Sequence, residues 1–494
     1  MTFSLLLLTF LSAGPQRLAP TFDRLGESLI ALVSPDCREL QGYDVAPEAD
    51  RVLYFGRLRR DSAHFRVWLN DKSLVRACDS VHEYGFTSSG KPYVCYSTDG
   101  LQYVSFDGAL SKGFRAILRD SLQDTRLILS PDGNRIAFAA RDGIWTVAVI
   151  DLKPGPQYTM VRNLIFGPGG SRYYLAQKGN AWLLNANGKE GKTYDGISEL
   201  ALTPRTARPL FIATDKEQNL LVVDGRASRP WHEITEVTFT PGDSLPAYVA
   251  GDSNRWCVVE DTIARIQEQG ILLHSLHYKF GTREPVYVVI DEAFVSSLKV
   301  DSRPLSGPHE NVDHIAVSPD GRFIISQSSD SAQERVWVNR EPVTARGAMA
   351  GTAVFSPDGR HYAFAVAHDS LVSVMTDSTT SPAYDDVSEL QFSPDSKSLA
   401  FVTRRNGRSF IVTDGREGLS FDAIGYLQFS PKTDKTAYLA VKGNETREVV
   451  AGQPGKAWDD IGPARFSPDG LRIAYPARQG NSFYLVCLAV GDSR

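Results

Sequence analysis

The chain has 494 residues, 42% of them apolar and 22% charged, with a formal net charge of −5. That balance is ordinary for a globular protein and argues against a low-complexity chain or a basic nucleic-acid binder. Five scattered cysteines without C-x-x-C spacing exclude a disulfide scaffold and a cysteine zinc site.

Taken from the N-terminus, the first feature is the apolar run Phe3 to Leu11, followed by Ser12-Ala13-Gly14. Residues 1–14 read as the apolar core and cleavage zone of an export signal, although no Lys or Arg precedes them. The run is too short to span a bilayer. No other stretch approaches that length, so the protein is expected to be peripheral to a membrane at most.

Beyond it a turn recurs. Ser-Pro-Asp-Gly stands at Ser130, Ser318, Ser356 and Ser467, and Ser393-Pro394-Asp395-Ser396 and Ser430-Pro431-Lys432 are variants. From Ser318 onward the spacings are 38, 37, 37 and 37. Upstream, Ser130, Gly167, Thr203 and Thr240 keep the phase, and blurred copies fit near Ala46-Pro47, Thr87-Ser88 and Phe280-Gly281. That makes about twelve units. Pro presets φ at the second turn position and Gly accepts positive φ at the fourth, so each copy predicts a hairpin loop.

Each unit reads as strands only. Leu390 to Phe392 alternates, and Ser398 to Val402 and Ser409 to Thr413 follow across polar turns. Ser420 to Ile424 is expected to be the fourth strand. About 37 residues per four strands, without helices, predicts an all-β fold of β-propeller blades. Twelve blades exceed one ordinary ring, which predicts tandem propellers of six plus six blades, with seven plus five as the alternative. The division is expected near residue 270, giving a first propeller at 28–270 and a second at 271–494. Glu268 to Pro308, the least repeat-like region, is expected to hold the joint.

The last unit lacks a fourth strand. Asp36 to Val45 resembles Asp414 to Ala423 and is expected to complete it, removing an open edge. That arrangement would place Cys37 and Cys487 on neighbouring strands, where an exported protein could join them in a disulfide.

A second mark, an aromatic followed by an acid, precedes the units at Tyr194-Asp195, Tyr384-Asp385, Phe421-Asp422 and Trp458-Asp459, with Trp231-His232 as a variant. Trp68, Trp145, Trp182, Trp256 and Trp337 fall in phase on the third strands. All are expected in the core between blades, the alternative being a sugar-stacking surface.

Catalytic signals are weak. Gly242-Asp243-Ser244-Leu245 spells a lipase-type string but sits on a repeat turn. No G-x-S-x-G or H-E-x-x-H occurs. His274 and His277, read as strand residues, would face opposite ways. Asp385-Asp386 and Asp459-Asp460 read as structural. Asn444-Glu445-Thr446 fits a glycosylation acceptor that matters only in a eukaryotic secretory host. One turn Asp per blade cannot supply the six to eight oxygens that Ca²⁺ takes.

The units Phe355-Ser356-Pro357-Asp358-Gly359 and Phe466 to Gly470, with Ile136-Ala137-Phe138 and Leu399-Ala400-Phe401, resemble the WD-like repeat of bacterial TolB-type propellers. The likeness is close in five or six units and extends weakly over about residues 30–494. It implies a periplasmic or extracellular interaction scaffold. The expectation is therefore a non-catalytic monomer, with no cofactor or metal, that binds a protein or peptide through loops at a propeller face. The alternative is an enzyme or carbohydrate-binding protein with its site at an axial channel. The sequence assigns no binding residue.

Overall fold

The computed structural model describes residues 25–490, apart from 49, 121–122, 243–244, 253–254, 332 and 345–346. Among the described residues the regular structure is antiparallel β, with one short 3₁₀ turn at Pro168–Gly170 and no α-helix. The strands form twelve sheets, the blade count that the turn spacing predicts. The protein is a β-propeller of twelve blades. Blades 1 to 12 begin at Cys37, Ser80, Ala116, Met160, Gly196, Glu233, His277, Asn311, Ala348, Asp386, Ala423 and Asp460.

In nine blades the four strands pair in chain order. In blades 3, 9 and 12 the first strand is broken into two pieces that both pair with the second. The second strands are buried on both faces and read as apolar runs, as in Ile136-Ala137-Phe138-Ala139-Ala140. Fourth strands are short or exposed, as in Lys153–Tyr158. Within each compact unit, first strands of several successive blades pack on one another, so apolar core lies in the seams between their sheets. One seam joins Ile128, Ala137 and Tyr158 of blade 3 to Val161, Leu164 and Tyr174 of blade 4.

The recurring turn closes on itself. In blade 12 the Gly470 N–H donates to the Ser467 carbonyl at 2.8 Å, and the Ser467 hydroxyl donates to Asp469. Asp469 in turn accepts the Leu471 N–H, and the Ser467 Oγ accepts the Arg472 N–H at 3.0 Å. The hydroxyl bond from Ser467 holds the Asp469 carboxyl below its ordinary pKa. These carboxylates are committed to their own turns, as the spacing argument expects.

Gly359, at φ +70°, and Gly470, at φ +72°, meet two demands at once. Positive φ favours glycine, and a Cβ at Gly359 would come within 2.5 Å of Asp320 on the turn of the preceding blade.

Three expectations are corrected. The strand that completes blade 12 is Gly26–Leu32, which pairs with the strand Ser482–Ala489. Cys37–Val45 is instead the first strand of blade 1, paired with Val52–Leu58. The two segments cannot be told apart by pattern, because both lie at partly exposed edges. The fourth strand of blade 10 is Arg416–Glu417. Phe421 adds one isolated bridge to Ser409, and Ala423 already opens blade 11. Glu268 to Pro308 holds most of an ordinary blade, His277 to His309, and no joint.

The described residues fall into two compact units. One comprises the residues up to Pro230 with Pro476–Cys487, and the other Trp231–Tyr475 with the residues from Leu488 onward. The boundary lies one blade earlier than residue 270.

Candidate functional site

The site grows out of a repeated contact between first strands. Near four residues before the turn most first strands bulge, and the residue there is left-handed in several blades: Asn163 (φ 54°), His314 (φ 49°), Glu389 (φ 51°) and Tyr426 (φ 58°). The bulge frees backbone N–H groups that face the neighbouring blade. A carboxylate from that blade meets them. Glu83 accepts the Arg126 N–H at 2.8 Å, and Asp120 accepts the Asn163 N–H at 3.0 Å. Glu236 accepts the Leu276 N–H at 3.3 Å. Glu389 takes two, from Tyr426 at 3.1 Å and Leu427 at 2.5 Å. Such charge-assisted bonds satisfy donors that a buried bulge would otherwise orphan. Burial raises the Glu236 carboxyl to about 7 although backbone N–H groups oppose the shift.

The seam between blades 11 and 12 departs from this scheme. At the clamp position stands Tyr426 where blade 10 has Glu389. Of the two receiving positions, the first is Pro463, which has no N–H to give, and the second is Ala464. One side-chain contact of the ordinary seam persists, Gln428 Nε2 donating to the Ala464 carbonyl at 3.2 Å, as Gln391 does to Leu427 in the seam before. With the clamp gone, a cavity of about 70 Å³ opens, lined by Tyr426, Gln428, Leu439, Glu448, Pro463 and others.

Glu448 is the unusual wall. It lies on the third strand of blade 11, opposite Leu439. Eighteen residues after Thr240, Ser318, Ser356 and Ser393, the same register places Val258, Val336, Val374 and Ile411, all buried; after Ser430 it places Glu448. Glu448 is 2% exposed, and its Oε1 is buried without a hydrogen-bond partner. Burial alone pushes its carboxyl up to about 8, so it is mostly protonated at neutral pH. Tyr426 stands at the cavity 71% exposed, in a left-handed conformation that bulky side chains rarely adopt.

The sequence-predicted residues are placed elsewhere. Cys37 pairs across to Leu58 in blade 1, and Cys487 pairs to Gly26 in blade 12. All five cysteines are buried, and Cys37 and Cys487 lie in different blades, not on neighbouring strands of one blade as the disulfide expectation supposed. His274 lies in a turn at φ 59°, not on a strand, and His277 begins a two-residue strand. Among the described residues no three or more His, Cys, Asp or Glu cluster as a metal site would need. Asp243 and Ser244 of the lipase-type string, and the export-signal residues 1–14, lie outside the described residues.

Two of the acids after the boundary aromatics bond backbone of their own blade: Asp195 accepts the Lys216 N–H and Asp422 the Gly443 N–H. The aromatics themselves are core, with Tyr194, Trp231, Tyr384, Phe421 and Trp458 all buried. Of the third-strand tryptophans, Trp68 is buried against Tyr54, whereas Trp145 is 41% exposed and departs from the core reading.

Sequence reasoning missed Glu448, Tyr426 and Pro463. The signal was present: the turn spacing, extended four residues back and eighteen forward, puts all three at departures from their repeat positions.

No protein-family model and no curated protein matches the chain. Among solved structures it is similar to a eukaryotic initiation factor, at 12% identity over 71% of this chain and 98% of that one, with a TM-score of 0.37. TolB from Acinetobacter baumannii matches at 15% identity over 52% of this chain and 76% of that one, with a TM-score of 0.22. The Dos1 propeller matches at 12% identity over 79% and 93%, with a TM-score of 0.24.

Proposed function

We propose that the protein is a non-catalytic scaffold that binds a protein or peptide partner through one face of its blades. The seam between blades 11 and 12 carries this reading. Its cavity, about 70 Å³, is well below the roughly 300–1,000 Å³ of small-molecule pockets, and suits one inserted side chain. An exposed aromatic, Tyr426, stands beside it, the kind of anchor on which protein interfaces concentrate their binding energy. Acid–base catalysis usually sets two ionisable groups against each other in opposed environments, whereas here one carboxyl, Glu448, stands with a solvent-exposed phenol, Tyr426.

The likeness of the Phe-Ser-Pro-Asp-Gly units to TolB-type repeats, together with the apolar run Phe3 to Leu11, supports an exported, periplasmic or extracellular protein. Affinity capture from the native envelope, with partners identified by mass, tests the reading in parallel for the wild type and Tyr426→Ala. A partner retained by the wild type and lost by the variant is the expected result. Turnover of a small molecule by the purified protein would overturn it. Fractionation of the host cell tests the location, and a cytoplasmic protein would refute export.

A further inference from the structure

We propose that the cavity between blades 11 and 12 is a recognition socket for a cationic side chain, a lysine or arginine presented by the partner, with Glu448 as its counter-ion and Tyr426 as its rim. This rests on the scaffold reading and sharpens it to one site and one chemistry.

Five observations converge. Glu448 Oε1 is a buried acceptor without a donor. In the preceding seam Glu389 is met by two backbone N–H groups, those of Tyr426 and Leu427; at the equivalent positions here stand Pro463, which has none, and Ala464, which keeps one. Neither is hydrogen-bonded to Glu448 Oε1, so the occupant brings the donor for it, which ammonium and guanidinium supply in number and without competing acceptors. The apolar surfaces of Leu439, Ile461 and Pro463 line the cavity and suit a methylene stem. Tyr426 is 71% exposed, leaving its ring free to take a cation on its face. The cavity volume admits the end of one side chain and little more.

Binding is then linked to protons. The neutral carboxyl gives its proton to solvent as the cation arrives, and the pair left behind is a carboxylate and an ammonium or guanidinium. Affinity for a cation must rise with pH until Glu448 is ionised in the free protein, near pH 8. A neutral occupant that hydrogen-bonds the protonated acid would show the opposite trend.

The probes are capped peptides Gly-Gly-Lys-Gly-Gly and Gly-Gly-Arg-Gly-Gly, with Gly-Gly-Gln-Gly-Gly as the neutral control. Binding to the full-length chain is read by ligand-observed NMR and by shifts of the Tyr426 ring at pH 6 and pH 8. The Lys or Arg probe should bind roughly 30–100-fold more tightly at pH 8, and the dependence should disappear in Glu448→Gln. Tyr426→Ala should weaken binding at both pH values. Equal binding of the Gln probe, affinity that falls with pH, or no binding at Tyr426 (waters alone filling the cavity) would each overturn the socket. If the captured partner still binds Glu448→Gln and Tyr426→Ala unchanged, the socket fails while the scaffold reading stands. If no partner is captured yet the Lys probe binds with the stated pH dependence, the socket stands and the scaffold reading fails.

Discussion

Replacing Glu448 by valine should stabilise the protein, and by more at higher pH. The substitution restores the residue type that Val258, Val336 and Val374 show at the same register. The magnitude follows from linkage. The carboxyl ionises near its ordinary 4.5 when unfolded and near about 8 when folded. A folded-state pKa raised above the unfolded one means that the native state holds the proton longer. Between those two values the unfolded chain has lost the proton and the native chain keeps it, so stability falls as pH rises, by roughly 1.4 kcal/mol per unit. From pH 5 to pH 8 the wild type therefore loses about 3 kcal/mol on this account, and Glu448→Val loses none of it. At pH 5 the two proteins should lie close together, because relief of an unpaired polar group is offset by the smaller side chain.

The assay is thermal unfolding of both proteins at the two pH values, read on the transition of the unit that contains residues 231–475. Other titrating groups cancel in the difference between proteins. The gap should widen by about 6–12 °C between pH 5 and pH 8, taking roughly 2–4 °C per kcal/mol for a body of that size. A gap that stays constant with pH, or a variant less stable at pH 8, would refute the assignment of a buried, unpaired carboxyl.

Glu389→Ala removes the acceptor for the Tyr426 and Leu427 N–H groups and should destabilise by about 1–3 kcal/mol, with faster hydrogen exchange at those two amides. Unchanged exchange there would sink the clamp. Gly359→Ala should lose clearly more stability than Gly415→Ala. Both have positive φ, at 70° and 76°, but a Cβ at Gly359 meets Asp320 within 2.5 Å while Gly415 has nothing within 4 Å. The Gly415 change isolates the left-handed strain at about 1–2 kcal/mol, and a reversed order would show that the turns do not pack across blades as described. Deleting Gly26–Leu32 uncovers the strand Ser482–Ala489 and removes Ala31 from the cluster that holds Cys37 and Phe483. Cys37 should then react with a thiol reagent under native conditions, and the protein should self-associate through the open edge; a monomer with an unreactive Cys37 would contradict the closure.

The blade count was legible because the turn is written in residues that each have one physical reason to be there. Pro fixes φ, Asp bonds backward to Ser467 and its equivalents, and Gly tolerates both positive φ and the neighbouring turn. Turn chemistry is local, so it survives in sequence. Strand pairing at the edges is not local. Gly26–Leu32 and Cys37–Val45 are both partly exposed, and nothing in either segment states which sheet it joins. Leu29 and Leu32 are more than half exposed, so the closing strand does not alternate as a half-buried strand would. The site was harder to read for a related reason. Glu445-Thr446-Arg447-Glu448 reads locally as a polar strand end, and it takes the turn spacing carried eighteen residues past Ser430, or the pairing opposite Leu439, to place one of these side chains in the core.

A repeat protein carries its own controls. The same structural position is filled many times by one chain, under the same demand for buried packing and satisfied backbone groups. Recurrent solutions stand out: an apolar residue at the register of Val258 and Ile411, with hydrogen-bonded Asn185 as a polar exception, and in several seams carboxylates such as Glu83 and Glu389 meeting the next bulge. At the seam between blades 11 and 12 three solutions fail together. Glu448 buries an acid, Pro463 withholds one donor, and Tyr426 holds a bulky ring in a left-handed backbone. Each alone weakens the fold, and local rules broken without local gain are expected where a protein meets something else. Their convergence on one cavity is what a partner's side chain would resolve, since a cation there supplies the missing donors and rests against the ring.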